Sequence, residues 1–143
     1  MLKIKKLKEN AIIPTRGTAE SAGLDLYALL ETPAQIKPGE ILMVPTGIAI
    51  ELKKGTAGFI FGRSSLGAKH GICPSNAVGV VDSDYRGEIK VSLINNSNVS
   101  YTVNPEDRVA QLVIMKVELP EVVECEELSD SERGNGGFGS TGK

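Results

Sequence analysis

Turn signals punctuate this chain about every ten residues, and between them the apolar runs are too short for helices. They recur at Lys37-Pro38-Gly39, Lys54-Gly55, Asn95-Asn96-Ser97-Asn98 and Asn104-Pro105-Glu106-Asp107. Alternation in Leu2-Lys3-Ile4-Lys5 and in Ile48-Ala49-Ile50-Glu51-Leu52 predicts strands with one wet face. Ala57 to Phe61 and Val109 to Val117 read as more fully buried strands. Only Ser64 to Lys69 looks helical, and it is short. The expected fold is all-β, a jelly-roll-type β-sandwich or barrel with one short helix and a flexible C-terminal arm. At 143 residues the chain is the size of one domain and can bury a core without metal or disulfide staples. The expected division is a β domain over residues 1–128 and a glycine-rich lid over 129–143.

Composition excludes several classes. With 16 basic and 18 acidic residues the net charge is −2, so duplex nucleic acid is not an expected partner. No apolar run approaches the roughly 18 residues of a membrane span, and no apolar stretch follows the four lysines among the first eight residues. Cys73 and Cys125 form no CxxC pair and His70 is the only histidine, which argues against a zinc site. A reducing, cytoplasmic setting is expected.

Three segments could carry chemistry. Gly62-Arg63-Ser64-Ser65-Leu66-Gly67 follows the apolar run Phe59-Ile60-Phe61 and enters the helical stretch. Serine there is either a helix N-cap or, beside an arginine, part of an anion site. The segment Asn76 to Ile89 reads as a hairpin with the polar tip Asp82-Ser83-Asp84-Tyr85-Arg86-Gly87. Asp84 reads as an ordinary turn acid. Asp82 directly follows Val80-Val81, a strand end from which a carboxylate can orient and deprotonate a water. Tyr85 offers a flat face to a sugar or ring, or serves packing. The third segment begins at Arg133, after an arm from Glu118 to Glu132 in which seven of fifteen residues are acidic. Five of its eleven residues are glycine, consistent with a flexible end or with a lid that orders over a ligand. Gly137 to Lys143 satisfies GxxxxGK, but a phosphate-binding P-loop needs a following helix and the sequence stops at Lys143.

The joint order is more specific than any one segment. Ala22-Gly23-Leu24-Asp25-Leu26-Tyr27-Ala28, GRSSLG, GVVDSDYRGEI, Arg108-Val109-Ala110-Gln111-Leu112 and RGNGGFGSTG together resemble the five ordered motifs of trimeric dUTP nucleotidohydrolases. The resemblance runs from about Ala22 to Gly142. It implies a jelly-roll homotrimer with active sites shared between subunits. It implies hydrolysis of dUTP to dUMP and pyrophosphate by water attack on the α-phosphorus, with Mg2+ held by the substrate phosphates. Such an enzyme keeps uracil out of DNA and supplies dUMP for thymidylate synthesis. Residue by residue, Asp82 matches the carboxylate that activates water. Tyr85 matches the ring that packs on deoxyribose, and Asn76 with the backbone around Gly79 matches the groups that read uracil. Arg63, Ser64, Ser65 and Gln111 match phosphate contacts, and Asp25 matches a carboxylate near the metal's water shell. In the tail, Arg133 matches a γ-phosphate contact and Phe138 a cover over uracil. Gly139, Ser140 and Thr141 match binders of the terminal phosphates. Arg108 matches the fourth motif, as a structural ion pair or a ligand contact. One departure is Pro74-Ser75, where a glycine-containing approach to Asn76 is expected.

Two other readings are weighed. A deoxycytidine triphosphate deaminase shares the fold but carries a glutamate ten positions after the aspartate, where this chain has Ser92, and a tryptophan at the place of Tyr85. A trimer that only binds nucleotide or a protein partner is the second, and Asp82 with the complete tail argues against binding as the sole role.

Overall fold

The computed structural model describes residues 1–137. Eleven strands and one helix follow in the order β1 (Lys3–Lys6), β2 (Leu24–Tyr27), β3 (Ala34–Ile36), β4 (Ile41–Pro45), β5 (Ile48–Glu51), β6 (Thr56–Phe61), α1 (Ser64–His70), β7 (Ile72–Pro74), β8 (Gly79–Val81), β9 (Lys90–Asn95), β10 (Tyr101–Val103) and β11 (Arg108–Lys116). All ladders are antiparallel: β2-β11-β6-β8, β4-β9-β7, β1-β5 and β10-β3. This is the jelly-roll-type architecture that short strands between turns require. Every strand expected from the apolar pattern is present, and α1 runs one residue beyond its expected end.

Side chains from all four ladders meet in one core. Leu26, Ile36, Val44, Ile48, Ile72, Val91, Leu93, Val103 and Leu112 are buried to within about 1% of completeness. At roughly 25 cal/mol per Å² of apolar surface removed from water, such side chains dominate the drive to fold. The expectation that β11 is buried throughout holds only for its first half. Leu112 still lies between Leu24 of β2 and Ile60 of β6, but beyond it β2 has ended. With a neighbour on one side only, Ile114 and Met115 are about 40% exposed.

Two polar side chains are buried with the core, Thr46 and Asn95. The Thr46 hydroxyl donates to the carbonyl of Ile89 at 2.6 Å. Asn95, at the end of β9 and not in the turn where its sequence places it, donates from Nδ2 to the carbonyls of Ile36 (2.9 Å) and Val99 (2.8 Å). Its Oδ1 accepts from the Ser97 amide at 2.9 Å and the Ser97 hydroxyl at 2.8 Å. One buried amide thus organises the turn after β9 and ties it to β3.

The turn before β11 holds a small defect. Asp107 N–H donates to the Asn104 carbonyl, with Pro105 and Glu106 at the two central positions. Glu106 has φ of 66°, a left-handed conformation usually given to glycine after proline. Replacing Glu106 with Gly is expected to raise the urea midpoint, with a gain of about 0.5–1 kcal/mol after the entropy cost of glycine. A lowered midpoint would show that the Glu106 side chain outweighs the strain.

After β11 the Val117 amide donates to the carbonyl of Gly55, and residues from Glu118 onward run almost wholly exposed to Gly137. No helix among the described residues is long and apolar enough to cross a membrane.

Candidate active site

The residues singled out from the sequence fall into two clusters on the folded chain. The first is built on β8. Val80 pairs with Phe59 and Val81 with Gly58, which fixes where Asp82 leaves the sheet. The expected hairpin does not form: β8 joins the sheet of β6, whereas β9 pairs with β4 and β7. The residues between must therefore cross from one sheet to the other. That crossing opens a cleft of about 420 Å³ lined by Asn76, Gly79, Asp82 and Tyr85, with Met43 and Ile60 among the apolar walls. A second recess of about 630 Å³ lies on the far side of Asp82, lined by Lys54, Ser83, Asp84 and Arg86.

Local geometry holds the cleft open. The Ala77 amide donates to the Pro74 carbonyl at 3.1 Å, and the Val78 amide to the Asn76 carbonyl at 2.7 Å. Ala77 sits at a φ of 60°, a strained value for a residue with a Cβ. The departure at Pro74-Ser75 has a structural role, because Ser75 anchors this turn to β9. Its amide donates to the Ser92 carbonyl at 2.8 Å and its hydroxyl to the Ser92 hydroxyl at 2.6 Å. Gly79 is buried, and a Cβ there would stand 3.2 Å from Ile60 Cβ and 3.5 Å from Asn76 Nδ2. On the other wall the Tyr85 amide donates to the Asp82 carbonyl at 3.2 Å, closing the turn that carries both side chains. The Arg86 guanidinium clamps it through the carbonyls of Ser83 and Tyr85.

Three acids lie near this turn, and their surroundings differ. Asp84 lines only the second recess. Glu88 lines the cleft, but one oxygen accepts the Gly47 amide at 2.9 Å and the other faces Lys90 at 3.7 Å. Asp82 is exposed and borders both spaces.

The second cluster is cationic. In the β2-β11-β6 ladder, Gln111 lies between Asp25 and Phe61. Asp25 Oδ1 accepts from Arg63 Nε at 3.0 Å and Oδ2 from Arg108 Nη1 at 3.3 Å. One carboxylate thus holds two guanidiniums, and the group remains net positive. Arg108 is an ion-pair partner here, and its side chain is still half exposed. Gln111 Nε2 donates to the Gly62 carbonyl at 3.0 Å, pinning the loop that carries Arg63. Gly23 makes room for it, since a Cβ there would meet the Gln111 side chain at 3.1–3.2 Å from Cβ and Cδ and closer still to Oε1. Arg63 takes the N-cap position of α1 in extended conformation, with no side-chain cap. The N-cap reading of the serines is therefore corrected: Ser64 and Ser65 lie inside the first turn and are exposed. Tyr101 lines the small recess beside Arg63 and Arg108, where burial, helped by the Asp107 carboxylate, raises its pKa above the ordinary value.

The recess of the cationic cluster and the cleft of Asp82 share no lining residue. Arg133 is exposed, in a short turn. Phe138, Gly139, Ser140 and Thr141 lie outside the described residues. Among the described residues no three His, Cys, Asp or Glu side chains come together as a metal cage. Sequence reasoning missed the anchoring of Ser75 on Ser92 and the clearance at Gly23, which are pairings between distant segments. A carboxylate beside a ring and an amide suits water activation next to a bound ring. Two fixed guanidiniums with adjacent hydroxyls suit a polyanion.

Known proteins resemble this chain along nearly its whole length. The family model described as dUTPase matches residues 9–142. A deoxyuridine 5'-triphosphate nucleotidohydrolase of Nautilia profundicola is 53% identical over 142 residues, covering 99% of each chain. The solved structure of Staphylococcus bacteriophage 80alpha dUTPase with dUPNHPP superposes with a TM-score of 0.90 at 27% identity, covering 100% of this chain and 99% of that one. A dUTPase mutant from phage phi11 of S. aureus, described with a structural Mg(II) ion, superposes with a TM-score of 0.79 at 25% identity over 89% of this chain and 97% of that one.

Proposed function

The chain belongs to the dUTPase family, and from that premise we propose that its two clusters divide one nucleotide between them, base and sugar in the Asp82 cleft and phosphates on the arginines. The activity is that of a hydrolase acting on dUTP; the assignment of atoms below is ours. The observation that carries it is the convergence of Asn76, Gly79, Asp82 and Tyr85 on one cleft.

In this reading Asn76 and the backbone of Gly79 meet the edge of uracil. Once the base covers them, a cytosine would leave those polar groups unpaired, which discriminates more steeply than shape. Tyr85 covers the deoxyribose face and leaves no room for a 2′-hydroxyl. Asp82 takes a proton from a water as its oxygen bonds to the α-phosphorus. The bond to the bridging oxygen breaks, and pyrophosphate leaves with that oxygen. Arg63, Ser64, Ser65 and Gln111 spread the charge that accumulates on the phosphates. The tail completes the set by resemblance, with Arg133, Gly139, Ser140 and Thr141 at the terminal phosphates and Phe138 over the base.

The donor set fits a magnesium ion brought by the substrate. Mg2+ commonly takes one or two carboxylates, waters and phosphate oxygens in preference to an all-protein cage. By the resemblance, Asp25 would face the ion's water shell, and its own oxygens are occupied by Arg63 and Arg108. When bound, the ion supplies charge neutralisation on the leaving group. The protein's part is to hold its guanidiniums ready for the same phosphates.

Because the two clusters open on separate spaces of one chain, we assign the complete site to a homotrimer in which subunits combine them, in a cytoplasmic setting. Pyrophosphate release from dUTP with magnesium, against dCTP, UTP and dTTP, tests the function. Light scattering tests the assembly. No release from dUTP, or a fully active monomer, would overturn the corresponding half of the reading.

A further inference from the structure

The side chain given the task of excluding ribose, Tyr85, is nearly half exposed, so its neighbours must fix the ring. Two features do so. Its hydroxyl donates to the Glu88 carbonyl at 3.0 Å, three residues along the same turn. Between them lies Gly87, over which the ring folds back. A Cβ on Gly87 would stand 2.5 Å from Tyr85 Cζ, closer than real Cβ contacts come, and 3.0 Å from Cε2, so the ring would have to shift. The backbone does not explain this glycine, because the φ of Gly87 lies outside the left-handed region. The three nearest atoms that a Cβ would meet all belong to the Tyr85 side chain.

We infer that Gly87 and the Glu88 carbonyl form a seat for the Tyr85 ring, and that this seat sets the discrimination between deoxyribose and ribose. Gly87 is then a positioning residue that acts through Tyr85. The inference rests on the proposed role of Tyr85 at the sugar and adds the part of the molecule that gives the ring its place. A methyl group at Gly87 lifts the ring off the turn and rotates its face, opening the space a 2′-hydroxyl would need. Displacements near 1 Å suffice to change turnover substantially in a reacting complex.

The test measures kcat/KM for dUTP and for UTP, by pyrophosphate release, in Gly87→Ala, Tyr85→Ala, the double variant and Tyr85→Phe. Gly87→Ala is expected to raise the UTP-to-dUTP ratio by about tenfold. In the double variant, adding Gly87→Ala to Tyr85→Ala should change the ratio no further, because the residue through which Gly87 acts is gone. A merely structural glycine would lower both substrates together and leave the ratio alone. If Tyr85→Ala relaxes the ratio and Gly87→Ala does not, the seat is wrong and the sugar role of Tyr85 stands. If Tyr85→Ala leaves the ratio unchanged, the sugar role itself fails and the seat falls with it. Should Gly87→Ala not fold, Tyr85→Phe removes the bond to Glu88 and probes the same seat. A raised ratio there supports it, and an unchanged ratio overturns it.

Discussion

Replacing Asp82 with Asn is expected to leave the protein folded and able to bind nucleotide while lowering turnover by about 10²–10⁴-fold, the usual loss when a general base is removed. The amide keeps the size of the carboxylate and can still accept a hydrogen bond from water, but it cannot take the proton. The sheet does not depend on this side chain, which is exposed beyond the end of β8. Single-turnover pyrophosphate release from dUTP reads the chemical step, and calorimetry with a non-hydrolysable analogue reads binding. The loss should appear in the first and not in the second. Near-normal turnover would remove Asp82 from its role. Glu88 would then be the poorer substitute, since its carboxylate is already engaged by the Gly47 amide and faces Lys90.

The largest effect on stability is expected at Asn95→Leu, at a cost of about 3–5 kcal/mol. The apolar replacement keeps the branched skeleton of four heavy atoms, so no cavity is made. What is lost is four hydrogen bonds at a fully buried site, leaving the carbonyls of Ile36 and Val99 and the donors of Ser97 without this partner. Urea unfolding followed by circular dichroism gives the change directly. A cost below about 1 kcal/mol would mean that water replaces the amide at the turn.

These two residues also mark the limits of what the chain reveals before it folds. Asp82 could be singled out because it follows an apolar pair and stands in a motif of fixed order, and the fold brings it into one cleft with Asn76 and Tyr85. Arg63, Gln111 and Tyr85 could be singled out by motif order, and the strands were legible from short runs between turns. Asn95 was not, because a buried asparagine and a turn asparagine look identical in sequence. Their difference lies in partners on β3, about sixty positions away. The division of Asn76 to Ile89 between two sheets was hidden for a related reason. Apolar runs flanking a polar tip are the pattern of a hairpin, and only the competing partners β6 and β4 decide otherwise. Gly87 read as a turn glycine, and its demand is visible only when the Tyr85 ring is in place.

The carboxylate shared by Arg63 and Arg108 has a consequence for how affinity is distributed. Both guanidiniums are held before any anion arrives. Ordering a long side chain at a binding surface costs about 0.5–1.5 kcal/mol, and here that loss of freedom is taken during folding. An incoming polyphosphate therefore meets a preorganised fork and gives up less of its interaction energy to arranging it. The same carboxylate tempers the attraction, since each guanidinium is already partly neutralised. The balance favours phosphates that fit two fixed positions over anions that need a flexible cation to follow them. In the proposed site, selectivity for a particular polyanion thus follows from the ion pair of Asp25, in a space apart from the cleft given to base and sugar.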